Sequence, residues 1–526
     1  VSCLVGSEMC IRDRAGALTL NWIRNDIDAH ISNGAEVHAD GGTGFVKVKA
    51  ADKAGLNSVA GGIAAGSNAA IGGAVAYNYI GGDPDSPSSS TKNQITASID
   101  NATVTADRVD VLADSDADIN SFSLAFAGSG SISGTASLSL NFIRKNVDAS
   151  ISNTASVTTT GDVTVRAKDA SDIMTGAGQI SLSTGMGGIA FGGSIGYNDI
   201  ANTVTAAVTG KSQVVVTSAN RGNVVIEALS ASEIGTFAAG IAGGSSVGIA
   251  GSASANLIEN VVTAKVYDST ITTDDSLVVY AESDDEIAAY AGSLGIGLGA
   301  VGAGGTVVYN EISNQTLAFI GGDSIITALG VGGSIGVKNT AADFAPMTQV
   351  RGLAVVANGE TEFDVVSVGI GGSSNVGIAL SVGMNNVTNT VKATISDSSV
   401  NSSAERGKDV RVAAHQFTDI TSGGGTLGVG IGAGGVGATV DVSLVSNTTS
   451  AYIEDLDSAT DLDVIYGGNN VVVKAESRED LDSVAIGLGG GSGVGAAGSG
   501  AALDNSSITE AYIKKAAVSS YGDILI

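Results

Sequence analysis

The chain has 526 residues, 43% of them hydrophobic and 4% aromatic, with 75 glycines, 3 prolines and a formal net charge of −28. That apolar content excludes an intrinsically disordered chain, and the acidic balance excludes a nucleic-acid surface, which needs clustered Lys and Arg. Acidity on this scale serves instead to keep a large sheet-rich surface soluble and self-repelling.

The first residues stand apart from the rest. Leu4 to Asp13 reads LVGSEMCIRD and resembles a translated sequencing adapter, so residues 1–14 are set aside from the fold. Both cysteines, Cys3 and Cys10, fall there, which leaves the remaining chain without a disulfide or a thiol nucleophile. Because the chain ends at Ile526 midway through a repeat, it reads as a fragment truncated at its C-terminus.

From residue 15 onward a block built on Asn-x-Ile/Val recurs, led by Asn21, Asn78, Asn141, Asn198, Asn256, Asn310 and Asn385 at spacings of 57, 63, 57, 58, 54 and 75. Weaker copies follow near Thr449 and Ala511. A fixed period marks stacked units that bury their apolar faces only against their neighbours. Residues 15–526 therefore form one repeat array of about nine units of roughly 57 residues. Its irregularities are an insertion at 81–92 and a long unit at 310–385, and these hold Pro84, Pro87 and Pro346. Proline cannot donate to a ladder, so the chain leaves the stack there.

Within a unit the Asn block leads into an alternating strand, as in Val147, Ala149 and Ile151. A polar turn precedes a second strand of the type Val163-x-Val165-x-Ala167. A Gly-rich run follows, with bulky residues on one parity (Ile189, Phe191, Ile195, Tyr197) and small ones on the other (Gly188, Ala190, Gly192, Ser194, Gly196). Recurrent glycine on one parity predicts close sheet-on-sheet contact. No segment keeps a 3.6-residue period, so the fold class is all-β, an elongated β-solenoid with near-zero helix. Coils of about 19 residues spaced about 4.8 Å apart would put three coils in each unit and give the array a length of roughly 130 Å. The uncharged stretch Ile287 to Asn310 reads as packed sheet rather than as a membrane helix, so no membrane span is expected.

An acidic column sits five residues after each Val-x-Val-x-Ala alanine: Asp118, Asp172, Glu233, Glu286, Glu362, Asp419 and Asp480, with Gly55 as the exception. Corners such as Asp114 to Asp118 and Glu282 to Glu286 could supply oxygen ligands to Ca²⁺. The favoured reading is a set of solvated turns, about 14 Å apart and screened from one another. The asparagines read either as left-handed turn residues or as side-chain amide ladders. His30, His38 and His415 are too scattered for a metal site. The GxGxxG matches at Gly297–Gly302 and Gly430–Gly435 lack a following helix, and Thr158 to Thr160 and Thr272 to Thr273 are too irregular for an ice-binding ladder. No catalytic, cofactor or metal residue is assigned, and the chain is not read as an enzyme.

The Asn-x-Ile-x-Asn-x-Val-x-Ala-x-Ile block, the GDVTVRA strand at Gly161 to Ala167 and the Gly-rich run together resemble the β-strand repeats of leukotoxin-family filamentous adhesins, which are related in style to filamentous haemagglutinins. The resemblance implies an extracellular or cell-surface protein, exported by a type V or two-partner route. It further implies adhesion to a host-cell, matrix or bacterial-surface ligand. A β-helix carbohydrate-active enzyme and a calcium-stabilised surface-layer or biofilm-matrix protein are the alternatives.

Overall fold

A computed structural model describes residues 12–82, 92–217, 222–338, 347–405, 407–456 and 464–526. The first unit gives four strands, Arg12–Ile23, Ile27–Ser32, Glu36–Ala39 and Phe45–Gly66. Each starts a nine-stranded sheet, which we number first to fourth in that order, and within each sheet every neighbour comes from the adjacent unit. Pairing is parallel and in register: Arg12 lies beside Ala69, and Asn21 beside Asn78. The chain thus visits the four sheets once per unit. No helix occurs among the described residues.

This register overturns the 19-residue coil, because one unit of about 57 residues makes one circuit and not three. Nine strands at about 4.8 Å reach only about 40 Å along the stack, while a fourth-sheet strand such as Arg108–Ser129, 22 residues long, spans about 70 Å. The described stack is broader than it is tall, so the expected elongation is not found.

Two parts of different character make up the cross-section. The second sheet, the third sheet and the first half of the fourth enclose a prism of buried Val, Ile and Ala. Val147, Ala149, Ile151, Val163, Val165 and Ala167 are all fully buried there, as their alternation predicts. The polar turn expected between these strands contains a further short strand, Ser156–Thr159, which belongs to the third sheet. At the corner before it, Asn33, Asn101, Asn153, Asp268 and Asp397 adopt positive φ, the left-handed conformation that short polar side chains tolerate.

Beyond the prism, the second half of each fourth-sheet strand runs outward, turns, and returns as the next first-sheet strand, as from Arg108–Ser129 into Ile132–Ile143. These paired layers form a fin. Its inner face carries the small parity: Ala60, Ala74, Ala76 and Ala125 pack together, and so do Ala64, Ala70 and Ala127. The close approach predicted from glycine is present. A Cβ on Gly62 would collide with the carbonyl oxygen of Gly73, and one on Gly295 with that of Ala303. The bulky parity faces outward.

The long unit at 310–385 contains an antiparallel strand pair, Ile335–Lys338 with Met347–Val350. Its Val337 and Val350 cover Val278, Tyr280 and Val356 on the outer prism face. Pro84, Pro87 and Pro346 and most of the 81–92 insertion lie outside the described residues, as do Cys3 and Cys10.

Candidate functional site

The acidic column falls in the middle of the long fourth-sheet strands and not in turns. Parallel pairing sets Asp118 beside Asp172, Asp172 beside Glu233, and Glu233 beside Glu286. Glu362, Asp419 and Asp480 continue the column. Neighbours are therefore one strand spacing apart, about 4.8 Å, and not about 14 Å. Screening does not separate them.

Their protonation reflects this crowding. Burial, then the charges of Glu233 and Asp118, push the Asp172 carboxyl up to about 6. Glu286, Glu362 and Asp419 are raised as well, by burial first and then by neighbouring carboxylates. Asp118, Asn120, Asp172, Met174 and Glu233 line a shallow cleft of about 210 Å³. Adjacent carboxylates in such a row can share a proton or jointly attract a cation.

Strand alternation limits convergence on one ion. In Glu282 to Glu286, Glu282, Asp284 and Glu286 share the outward parity, whereas Ser283 and Asp285 point inward and are buried. Asp285 accepts bonds from the side-chain amides of Asn260 at 3.0 Å and Asn314 at 2.7 Å, and burial pushes its carboxyl up to about 7. In Asp114 to Asp118, cations from neighbouring coils intervene: Lys49 meets Asp114 at 2.8 Å and Lys53 meets Asp116 at 2.7 Å. Among the described residues no three His, Cys, Asp or Glu side chains form a group that could hold a metal ion.

The leading asparagines form an amide ladder. Each Nδ2 donates to the next Oδ1: Asn21 to Asn78 at 2.9 Å, Asn78 to Asn141 at 2.7 Å, and Asn141 to Asn198 at 2.8 Å. The series runs on through Asn256 and Asn310 to Asn385. The left-handed alternative does not apply to this column, since positive φ belongs to the corner residues.

A second asparagine ladder escaped the sequence reading. Asn202, Asn260, Asn314, Asn389 and Asn447 each accept the backbone N–H of the preceding coil, as from Asn202 to Asn260 at 3.0 Å and from Asn260 to Asn314 at 2.8 Å. Its signal was available as an Asn-x-x-x-Asn spacing at 198/202, 256/260, 310/314 and 385/389. Two coils depart, one with Ser507, whose hydroxyl accepts the N–H of Asn447 at 3.4 Å, and one with Lys145 in the column. Its fully buried ammonium donates to Asp52 at 3.0 Å and to Ser115 at 2.9 Å.

The remaining motifs take structural places. Gly297–Gly302 and Gly430–Gly435 span turns at the fin tip, where a Cβ on Gly297 or Gly430 would strike the facing strand. His30 is exposed beside Asp28 at 3.0 Å, and His38 lies in the third sheet. His415 is buried against Asn358 at 2.9 Å. Burial, followed by Arg411 and Lys474, lowers its imidazole to about 3, which keeps it neutral. Thr105, Thr158 and Thr272 share one third-sheet column, but Val215 interrupts it.

Comparisons with protein families, with curated proteins and with solved structures find no match for this chain.

Proposed function

We propose that this chain is part of a secreted or surface-displayed bacterial adhesin whose repeats close into a β-solenoid and act as scaffold and contact surface together. The observation that carries the reading is the in-register stacking of nine units through all four sheets, with polar ladders fixing the alignment. Such an array keeps its shape without disulfides and presents the same columns of side chains coil after coil. The resemblance to filamentous adhesins supplies the setting: export by a type V or two-partner route, display outside the cell, and a ligand on a host cell, matrix or neighbouring bacterium.

The test is surface labelling of intact producing cells with antibody to residues 15–526, paired with binding of the purified fragment to cultured cells and matrix proteins. Surface label with saturable binding supports the reading. Label confined to permeabilised cells, or binding no greater than that of an unrelated acidic protein, overturns it. Turnover of a polysaccharide by the purified fragment would instead favour a carbohydrate-active enzyme using neighbouring acids such as Asp172 and Glu233.

A further inference from the structure

The fin reverses the usual distribution of side chains. Its interior holds hydroxyls and amides: Ser121 bonds Ser139 at 2.7 Å, Ser123 bonds Ser137 at 2.7 Å, and Asn141 donates to Thr175 at 2.7 Å, all buried. Its exterior is apolar on both sides. On the fourth-sheet face, the outward positions paired with residues 122–128 carry no charged side chain in any coil. Ile63 is 76% exposed and Phe237 60%. On the first-sheet face, the outward positions paired with residues 69–77 carry none from the second coil onward.

Both apolar zones end at the same depth. On one face the boundary is the row of Asn120, one outward row beyond the acidic column, where Asp364 and Asp482 stand. On the other it is a row with Tyr77, Tyr197 and Tyr309, with Trp22 one row nearer the prism. From that boundary to the tip runs a strand length of about ten residues, or about 33 Å. The tip turns mix small polar residues such as Ser67, Asn68, Ser131, Ser245 and Ser246 with the exposed apolar side chains of Met186, Leu298 and Ile431.

We propose that the fin inserts into the hydrocarbon of a lipid bilayer while the prism stays outside. A bilayer covers both faces with a single occupant, whereas a docked protein copy covers one. The depth matches a hydrocarbon core of about 30 Å, which a strand of about 9–11 residues crosses. Tyrosine and tryptophan at the boundary suit the headgroup level, and the carboxylates there remain in water. Inside the fin, the parallel ladders satisfy the backbone groups that hydrocarbon would leave unpartnered, and pairs such as Ser121 with Ser139 satisfy some of the hydroxyls, while those of Ser194 and Ser254 are buried without a hydrogen-bond partner. The outer edges of the first and last coils need a partner in such a medium, so inserted fins join edge to edge. This inference stands apart from the adhesive reading, because a fin that fails to insert leaves receptor binding untouched.

Flotation of residues 15–526 with phosphatidylcholine vesicles tests the proposal, since neutral lipid avoids repulsion by the acidic chain. The intact protein should float with the vesicles, and Phe237→Asp with Ile241→Asp should cut the floated fraction at least fivefold with an unchanged circular dichroism spectrum. Depth is read separately on a variant that keeps the apolar face. Trp22 is the only tryptophan, so Trp22→Phe with Ile180→Trp places the probe at mid-fin. Its fluorescence should be quenched most by lipids brominated deep in the acyl chain, and that of native Trp22 by lipids brominated near the headgroup. Three results overturn the proposal: no flotation, flotation that the aspartates leave unchanged, or a soluble dimer in sedimentation that shields the Ile180→Trp probe and excludes vesicles. The last assigns the faces to a second copy of this chain.

Discussion

Asp172 illustrates how stacking alters a single side chain. Unfolded, it is an ordinary carboxyl near 3.8; folded, burial and then Glu233 and Asp118 move it to about 6. A raised carboxyl holds its proton more tightly in the fold, so the fold loses stability as pH rises between those two values, and the full penalty stands above about 6. Glu286, Glu362 and Asp419 are shifted in the same direction. In a His415→Gln background, which removes the opposing loss from that buried neutral imidazole on acidification, the array should therefore melt higher at pH 5 than at pH 7.5. Asp172→Asn should raise the midpoint at pH 7.5 by about 1–2 °C and shrink the gain on acidification. A melting temperature that falls on acidification, or an Asn variant no more stable than the parent at pH 7.5, counts against a crowded column. The column itself was legible because identical spacing repeats in every unit. Its electrostatics were not, since the distance between carboxylates depends on how many circuits a unit makes, and the period leaves that number open.

At the scale of elements, glycine parity was the most informative sequence signal, and it correctly placed two layers in close contact. It did not show that the bulky parity is the exposed one. Alternation reveals that two faces differ, but a strand whose apolar side faces outward has the same pattern as one whose apolar side faces a core. The antiparallel pair of Ile335–Lys338 with Met347–Val350 and the short third-sheet strands were missed for a related reason: four-residue strands rich in Ser and Thr, such as Ser156–Thr159, have the composition of turns. The parity argument can be tested with two alanines. Gly371 faces inward, where a Cβ would collide with the carbonyl oxygen of Ile378, whereas Gly305 faces outward with nothing within 4 Å. Gly371→Ala should cost about 1–3 kcal/mol in denaturant unfolding. Gly305→Ala should be neutral or stabilise by up to about 1 kcal/mol, as expected for replacing glycine in an unobstructed strand. Equal effects from the two would remove the case for a tightly packed fin.

For the whole molecule, the repeat fixed the topology, and the length of a circuit fixed the shape. A period of about 57 residues divides equally well into three short coils or one long one, and each choice keeps every alternation intact. What distinguishes them is continuity of the fourth-sheet strand across the acidic column, as in Val163–Ser183, where core-facing and small fin-facing residues share one parity without a break. One circuit per unit makes each repeat add about 4.8 Å of height rather than about 14 Å. The two geometries predict different dimensions for the same mass. With a height of about 40 Å and a breadth of about 70 Å, the particle has a largest dimension of roughly 90 Å once side chains are included. A three-coil stack would exceed about 130 Å with a narrow cross-section. Small-angle scattering on the monomeric fraction of residues 15–526 separates them, because a slab and a rod of equal mass differ in both maximum dimension and cross-sectional radius. A rod-like profile longer than about 120 Å would be incompatible with pairing of Asn21 to Asn78 across a single strand spacing, and both asparagine ladders would fall with it.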